Sequence, residues 1–465
     1  MGAEDVLDSL LMDFSSLSRS LGAQLLSFGK SPNGAGFSSV TVDSRSAREG
    51  SLFVALPGSN CDGHSFAETA FKNGACAAIV ERGKIETFKL ADIAESMGKT
   101  LVIVDNSLEG LQKAAAAYLK KFPGLLKIAI TGSSGKTTTK EIAAKIIGIE
   151  KRVTMNPGNY NSEIGLPLAV FNLRPGDEVG VFEMGMNHEG EIADLARVLN
   201  PDVALITNIG SAHIGILGSK EAIAKEKKNI FSQFNGKGIA LIPADSPYRD
   251  YLAQGVQGRV SFYSESFFAQ FGGVKDLGLD GSEIIWDGKQ ARFALPGKFN
   301  LANAFAAIAI AQEIPVSAGA VRQGIEAVKP LFGRGEIIRG KATVIKDCYN
   351  SNPESLAGAL EFCESLDWPG RRVYIIGEML ELGVDSKKAH EDMGRLLADS
   401  KADMVFLYGK ETAVCLKALE PGRFFHTCDI NEMKSAVNEY AREGDLVLLK
   451  GSRGCALERV FGEGI

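Results

Sequence analysis

Residues 131–139 have the residue types and spacing of a loop that binds phosphate. An apolar run ends at Ile130 and leads into Gly132-Ser133-Ser134-Gly135, and Lys136, Thr137 and Thr138 then begin a helical pattern. Glycines let backbone N–H groups close around phosphate oxygens, and a helix N-terminus adds a positive field. Lys136 would reach the β- and γ-phosphates, and the Thr137 hydroxyl would bind Mg²⁺. Ile130 replaces the first glycine of the general pattern, so the prediction rests on the strand–turn–helix context, and the alternative is an incidental glycine-rich turn.

Glu183 stands where open α/β sheets place functional groups, directly after the apolar run 179–182. A carboxylate at this point could hold a metal on the nucleotide. The alternative is a helix N-cap region, because Glu189 and Glu191 begin the next helical pattern. The metal-binding interpretation is preferred.

His213 ends a polar run, residues 207–213, that follows another apolar strand and is typical of an active-site loop. It is either a neutral imidazole ligand for a second metal or a structural histidine. Lys227 lies in a predicted helix, residues 220–231, among other charged side chains. On sequence context alone, Lys227 is interpreted as a surface lysine.

Three polar segments near the C-terminal end could bind anions or substrates. A flexible loop carries Arg334, whose planar guanidinium suits phosphate. The run 347–355 is denser in hydrogen-bonding groups than a plain turn requires, and Lys450 follows the apolar run 446–449. Each segment could be an ordinary βα turn, but together they suggest that the last domain closes over the nucleotide of the middle one.

Strands alternate with helices along most of the chain, which predicts an α/β fold with mostly parallel sheets. Turn-forming residues at 122–124 and near 333 indicate linkers, which divide the chain into three predicted domains. These are a mixed α/β N-terminal domain (1–124), a central doubly wound domain with the phosphate loop (125–330) and a C-terminal Rossmann-like domain (331–465). The last has no G-x-G-x-x-G, so a dinucleotide is not indicated.

Composition narrows the functional class. The 465 residues carry a net charge of −6, which argues against nucleic acid as the main partner. No signal peptide or membrane-spanning run is expected, and the seven cysteines lack C-x-x-C spacing. We therefore expect a cytoplasmic protein without membrane insertion, working as a monomer.

These clusters, in this order, resemble the Mur ligase family of bacterial cell-wall synthesis over essentially the whole chain. The Thr-Gly-x-x-Gly-Lys-Thr-Thr form of the loop is the family's own variant. The other segments that carry the resemblance are residues 156–167, 183–186, 297–304, 347–355 and 450–453.

The resemblance implies roles for individual residues. Lys136 and Thr137 would hold the phosphates of ATP and Mg²⁺, with Glu183 and His213 as magnesium ligands. Lys227 would be a carbamate that binds the second Mg²⁺. Asn300 and Asn303 resemble adenine contacts, and Arg334 and Asp347 phosphate and ribose contacts. The expected substrate contacts are Ser44, Arg45, Asn156, Asn159, Asn161, Tyr349, Asn350, Asn352 and Lys450, with Ser44 and Arg45 at the UDP-sugar end.

The family's chemistry is ATP-dependent amide formation through an acyl phosphate. The chain resembles most the branch that adds D-alanyl-D-alanine to UDP-MurNAc-tripeptide, and it lacks the Asp-Asn-Pro-Arg signature of the diaminopimelate-adding relative. A relative with another amine acceptor, including a polyglutamate-type ligase, stays open. A nucleotide-gated binding module is a further alternative, although a pure binder would not need two metal sites.

Overall fold

The computed structural model describes residues 10–29 and 36–461. Within these ranges the chain divides into two compact units. The first contains the described residues up to Ala129 together with Arg152–Met184 and Ala193–Pro201, and the second contains Ile130–Lys151, Gly185–Ile192 and the chain from Asp202 onward. No helix in the described residues is long and apolar enough to cross a membrane.

The strands are short and the helices lie between them. In chain order the strands are β1 Met12–Asp13, β2 Gln24–Ser27, β3 Gly36–Phe37, β4 Ser39–Thr41, β5 Ser51–Val54, β6 Ala77–Glu81, β7 Thr100–Val104, β8 Leu126–Thr131, β9 Val153–Met155, β10 Val179–Glu183, β11 Val203–Ile206, β12 Gly238–Pro243, β13 Gly258–Tyr263, β14 Phe271–Asp276, β15 Ser282–Trp286, β16 Lys289–Phe293, β17 Glu336–Arg339, β18 Thr343–Asp347, β19 Arg372–Gly377, β20 Met404–Tyr408, β21 Phe424–Thr427 and β22 Leu446–Lys450. The α-helices are α1 Phe14–Leu21, α2 Ala67–Lys72, α3 Leu90–Met97, α4 Ser107–Leu119, α5 Lys136–Ile147, α6 Gly165–Val170, α7 Glu191–Leu199, α8 Ile214–Leu217, α9 Lys220–Lys228, α10 Arg249–Ala253, α11 Lys298–Gln312, α12 Ala318–Glu326, α13 Pro353–Ser365, α14 Ser386–Ala398 and α15 Ile430–Tyr440.

The first unit is built on a five-stranded sheet in the order β2-β7-β6-β5-β4. Only β2 runs antiparallel to its neighbour. The residues of β5 and β7 are all buried, which explains their unbroken apolar runs, because a parallel strand is covered on both faces. A parallel pair, β9 with β10, carries Glu183 at its end.

The second unit contains the parallel strands β11, β12 and β13 and a six-stranded sheet in the order β17-β18-β22-β19-β20-β21. In the latter sheet only the edge strand β17 is antiparallel. Alternate residues of β22 enter different apolar clusters: Leu446 and Leu448 pack on one face, and Val447 and Leu449 on the other. The sheet is therefore covered on both sides, and the predicted α/β class is confirmed.

One element was not predicted from the sequence. Strands β14, β15 and β16 form an antiparallel three-stranded sheet within the segment where a mostly parallel sheet was expected. The predicted domain boundaries at 124 and 330 stay predictions, because the two units do not follow them.

Candidate active site

The phosphate loop joins β8 to α5, and two of its glycines have no room for a side chain. Gly135 has φ +79°, and a Cβ there would lie 2.0 Å from Asn303 Oδ1. A Cβ on Gly132 would lie 1.8 Å from Thr207 Oγ1. Glycine is required at both positions because neighbouring side chains pack directly on the backbone.

Residues 207–211 hold the loop in shape. Asn208 Oδ1 accepts from Ser134 N at 3.0 Å, and Thr207 Oγ1 donates to Ser134 O at 2.6 Å. Ser133 Oγ accepts from Gly210 N at 2.8 Å and donates to Gly210 O at 3.1 Å. The loop therefore has a fixed conformation built from the polar run that the sequence singled out. Sequence reasoning assigned only His213 in that run and missed Thr207 and Asn208.

The ligand-facing part of the loop is partly exposed. Ser134, Gly135, Lys136 and Thr137 are half-buried, whereas Thr138 is buried. Lys136 Nζ donates to the Gly132 carbonyl at 2.8 Å. The ammonium group thus lies across the loop, where a phosphate oxygen could replace the carbonyl as its acceptor.

Lys227 is not a surface residue, so the interpretation from sequence context is wrong. It is 1% exposed in α9, and its Nζ lies 4.0 Å from Met186 Sδ. Burial, and secondarily the positive charge of Lys136, hold the pKa of Lys227 well below its ordinary value. The side chain is therefore biased toward the neutral, nucleophilic amine.

The neighbouring Glu226 is also buried and has a structural role. Its carboxylate accepts from Gly190 N and Ile192 N, both at 2.9 Å. These bonds satisfy backbone donors at the start of α7, and the same segment brings Met186 to Lys227. Of the charged side chains in this part of α9, Lys225 is exposed, whereas Glu226 and Lys227 are buried.

Glu183 is buried in the first unit and is held by two asparagines. Asn156 Oδ1 accepts from Glu183 N at 2.9 Å, and Asn156 Nδ2 donates to Glu183 O at 2.9 Å. Asn161 Nδ2 donates to Glu183 Oε1 at 2.7 Å. Of the predicted substrate contacts, Asn156 thus holds the Glu183 backbone and Asn161 the carboxylate, while Asn159 is exposed.

His213 has a left-handed backbone conformation, with φ +64°. Such a conformation is uncommon outside glycine and often marks a functional position. Its Nδ1 lies 2.8 Å from Glu381 Oε2 at ion-pair distance, without the angle of a hydrogen bond. Glu381 also has φ +66°, and its pKa is lowered by the His213 contact. Sequence reasoning missed Glu381, because nothing local signals a contact across this separation.

Two of the predicted residues of the C-terminal segment, Asp347 and Asn350, contact Lys450. This lysine is 2% exposed, and its Nζ lies 2.8 Å from both Asp347 Oδ2 and the Asn350 carbonyl. Arg334 stacks on Tyr349, with its guanidinium carbon 4.0 Å from the ring centroid. Asn352 instead caps α13 through a capping box with Ser355.

The two asparagines of α11 lie at different places. Asn300 Nδ2 donates to the Pro296 carbonyl at 2.8 Å, so its amide closes the turn before the helix. Asn303 Oδ1 lies against Gly135 and 3.5 Å from Thr139 Oγ1. In the first unit, Arg45 forms an exposed ion pair with Asp43 at 2.7 Å. Ser44, the residue between them in the sequence, is buried.

A cavity of about 670 Å³ opens beside the phosphate loop. Thr207 and Asn208 form part of its wall, and Tyr263, Leu301 and Phe305 supply apolar surface. Polar groups from Asp245, Ser246 and Glu265 also line it. A flat, polar-edged ring system attached to a phosphate chain fits such a mixed lining.

The four predicted magnesium ligands differ in the donor atoms that they offer. In residues 10–29 and 36–461, no group of three or more His, Cys, Asp or Glu side chains is arranged to hold a metal ion. Thr137 and Glu183 offer the hard oxygen atoms that Mg²⁺ prefers, and His213 offers a nitrogen. Lys227 becomes a ligand only as a carbamate. In that form the side chains offer donor atoms of the kinds that suit Mg²⁺.

Three family models match the chain. They are the Mur ligase family catalytic domain at residues 37–119, the Mur ligase middle domain at 130–311 and the Mur ligase glutamate ligase domain at 333–453.

Relatives match over nearly the full length. The UDP-N-acetylmuramoyl-tripeptide–D-alanyl-D-alanine ligase of Treponema pallidum is 41% identical, covering 91% of this chain and 93% of the relative. The ligase of the same name from Bacillus subtilis is 35% identical, covering 90% and 92%. Among solved structures, MurF from Acinetobacter baumannii has a TM-score of 0.86 at 26% identity, with 96% and 97% covered. MurF from Thermotoga maritima in complex with ADP has a TM-score of 0.76 at 28% identity, with 91% and 96% covered.

Proposed function

Since this chain belongs to the Mur ligase family, we propose that it joins D-alanyl-D-alanine to UDP-MurNAc-tripeptide and converts ATP to ADP and phosphate. The observation that carries the proposal is the 41% identity over 91% of the chain to a ligase named for this reaction. The phosphate loop, the buried amine of Lys227 and the polar cluster around Lys450 supply the groups that such a reaction needs.

The reaction follows from the poor reactivity of a carboxylate toward an amine. A carboxylate oxygen of the tripeptide attacks the γ-phosphorus, and the bond from that phosphorus to the bridging oxygen of ADP breaks. The amine of D-alanyl-D-alanine then attacks the acyl carbon and loses a proton. Collapse of the tetrahedral intermediate breaks the C–O bond to phosphate. Phosphoryl transfer develops negative charge on phosphoryl oxygens, and attack of the amine develops it on the acyl oxygen. Fixed N–H dipoles and cations stabilise both charges.

Specific atoms of the phosphate loop would stabilise the negative charge on the phosphates. Lys136 exchanges the Gly132 carbonyl for a γ-phosphate oxygen, and Gly135 to Thr138, at the N-terminus of α5, place backbone N–H groups around the phosphates. Bound Mg²⁺ would neutralise phosphate charge, with Thr137, Glu183, His213 and a carbamylated Lys227 as its proposed protein ligands. The lowered pKa of Lys227 supports the carbamate, because only the neutral amine adds to CO₂, losing a proton to give the anion.

The remaining contacts are proposed from the family resemblance. The cavity beside Asn208 takes the adenine, next to Asn300 and Asn303 on α11. Arg334 and Asp347 take phosphate and ribose. The UDP-sugar end contacts Ser44 and Arg45. The peptide substrates contact Asn156, Asn159, Asn161, Tyr349, Asn350, Asn352 and Lys450.

We further propose a monomer in the cytoplasm. All seven cysteines are free thiols, which suits a reducing compartment. The substrate named for the relatives is a soluble nucleotide-linked precursor.

The test is a turnover assay with an amine panel. ATP, UDP-MurNAc-tripeptide and each acceptor (D-alanyl-D-alanine, diaminopimelate, lysine, glutamate) are mixed with the protein, and phosphate and the product mass are measured. We expect phosphate release only with D-alanyl-D-alanine and the tripeptide together. Equal ATP hydrolysis without them, or preferential incorporation of another amine, contradicts the proposal.

A further inference from the structure

Glu354 on α13 receives two donors from Ser211, in the segment that supports the phosphate loop, and one from Lys220 in α9. Its Oε1 accepts from Ser211 Oγ and from Lys220 Nζ, both at 2.8 Å, and its Oε2 accepts from Ser211 N at 3.1 Å. A carboxylate that takes both the N–H and the O–H of one residue fixes that residue's orientation. Glu354 is the second residue of α13, after the Asn352 cap and Pro353.

The group that Glu354 holds is joined directly to the phosphate loop. Gly210 precedes Ser211, and it exchanges two hydrogen bonds with Ser133 Oγ. Gly210 also lies against the carboxylate itself, since a Cβ there would be 3.2 Å from Glu354 Cδ and 3.4 Å from Ser133 Cβ. Glu354, the 210–211 backbone and Ser133 are therefore consecutive members of one packed and hydrogen-bonded chain.

We propose that Glu354 is a positioning residue for the nucleotide: by holding Ser211, it fixes Gly210 and thereby the shape of the phosphate loop. The middle-domain loop thus receives part of its structure from the domain that follows it in the chain. The inference rests on the proposed function only in taking the bound molecule to be a nucleotide with a phosphate chain.

The ion pair between Asp280 and Arg339 also joins the segment before residue 330 to the segment after it, but it does not reach the phosphate loop. Asp280 Oδ1 accepts from Arg339 Nη2 at 2.9 Å, and both side chains are more than half exposed. Such a pair contributes little to stability, and within the described residues no hydrogen bond or ion pair of Asp280 or Arg339 reaches the phosphate loop. It is a matched control: a carboxylate joining the same two parts of the unit, away from the nucleotide.

The primary experiment measures ADP affinity by titration calorimetry, which needs no turnover. We expect Glu354→Ala to weaken ADP binding by about tenfold, the usual effect of losing a hydrogen bond to a charged group. Glu354→Gln keeps one acceptor for Ser211 and should lie between Glu354→Ala and the wild type. Asp280→Ala should bind ADP like the wild type. Wild-type affinity in Glu354→Ala, or an equal loss in Asp280→Ala, overturns the inference.

A double-mutant cycle separates positioning from general stability. If Glu354 acts through Ser133, then Glu354→Ala should cost little further affinity in a Ser133→Ala background, because the connection is already broken. Additive losses overturn the inference. Should Glu354→Ala fail to fold, Ser211→Ala removes only the hydroxyl donor and must still reduce ADP affinity. A wild-type protein that binds ADP but makes no amide bond refutes the proposed function and leaves this test intact.

Discussion

At the scale of single residues, Lys227 shows how far local sequence can mislead. It stands between Glu226 and Lys228 in a helix rich in charge, and every neighbour along the chain suggests solvent. Its burial is decided by α9 packing on Met186, 41 positions earlier. Local composition cannot predict that contact. The family resemblance, in contrast, predicted a role for the same side chain as a carbamate.

The Lys227→Met variant should fold normally and lose turnover. Methionine fills a similar volume without a buried amine, so we expect an unchanged or higher melting temperature. Ligase activity should fall by at least about 100-fold, as when one group that stabilises transition-state charge is removed. Phosphate release and thermal unfolding are the measurements.

Lys225→Met is the control, because Lys225 lies on the same helix with its side chain 70% exposed. It should retain wild-type turnover. Intact-protein mass spectrometry should show one added CO₂ in the wild type and none in Lys227→Met; an unmodified Lys227 in active enzyme contradicts the carbamate.

Asp62 gives a pH-dependent contribution to stability. Partial burial raises the pKa of its carboxyl, but hydrogen bonds from Lys84 and His64 outweigh burial and lower it to about 2. Because the folded pKa is depressed, the contribution is present above the ordinary value of 3.8 and is lost as the pH falls toward 2. Asp62→Asn should therefore lower the melting temperature at neutral pH, and the difference from wild type should vanish near pH 2.

Thermal unfolding from pH 7 downward tests this. Asp105→Asn, at a carboxyl that is 93% exposed, should follow the wild type at every pH. A melting-temperature difference between Asp62→Asn and the wild type that stays the same down to pH 2 would contradict a lowered pKa of Asp62 as its cause.

At the scale of elements, the sequence contains a turn signal that predicts a hairpin and was overlooked. The missed hairpin β15–β16 joins Trp286 to Lys289 through Asp287-Gly288, with φ values of +52° and +70°. Asp-Gly between alternating strands is a strong signal of a type I′ turn. By contrast, the phosphate loop was predicted despite its missing glycine, because a strand and a helix flank it.

Gly135→Ala and Gly288→Ala compare two glycines of positive φ that differ in surroundings. A Cβ at Gly288 meets nothing within 4 Å, so its cost is backbone strain alone, about 1 kcal/mol. A Cβ at Gly135 collides with Asn303 as well. We expect Gly288→Ala to keep full ADP affinity and Gly135→Ala to lose nearly all of it. ADP titration and thermal unfolding distinguish the outcomes, and equal affinities would contradict the steric argument.

At the scale of the whole molecule, the second unit brings together groups that lie far apart in sequence. His213 contacts Glu381, and Gly215 N donates to the Glu381 carbonyl at 3.0 Å. The sequence indicated that the last domain contacts the nucleotide domain, but not through which residues. Pairings over more than a hundred positions depend on docking, and no periodicity or spacing records them.

Gly215→Ala should disturb this docking. A Cβ there would lie 2.3 Å from Gly383 N and 2.7 Å from the Glu381 carbonyl, so backbone must move. We expect kcat to fall by up to about 100-fold, since small misplacements of reacting groups are costly. Gly358→Ala, where a Cβ meets nothing within 4 Å, should be silent. Hydrogen exchange at Gly215 should accelerate in the first variant only.

The bonds from Thr207 and Asn208 to Ser134 have a consequence for timing. A loop that already has its shape imposes no folding step on an arriving nucleotide, and only the Lys136 ammonium must change acceptors. Side-chain rearrangements of that kind are complete within nanoseconds. Mixing with a fluorescent nucleotide should therefore give a single phase whose rate rises linearly with concentration, without the plateau that marks a slow isomerisation.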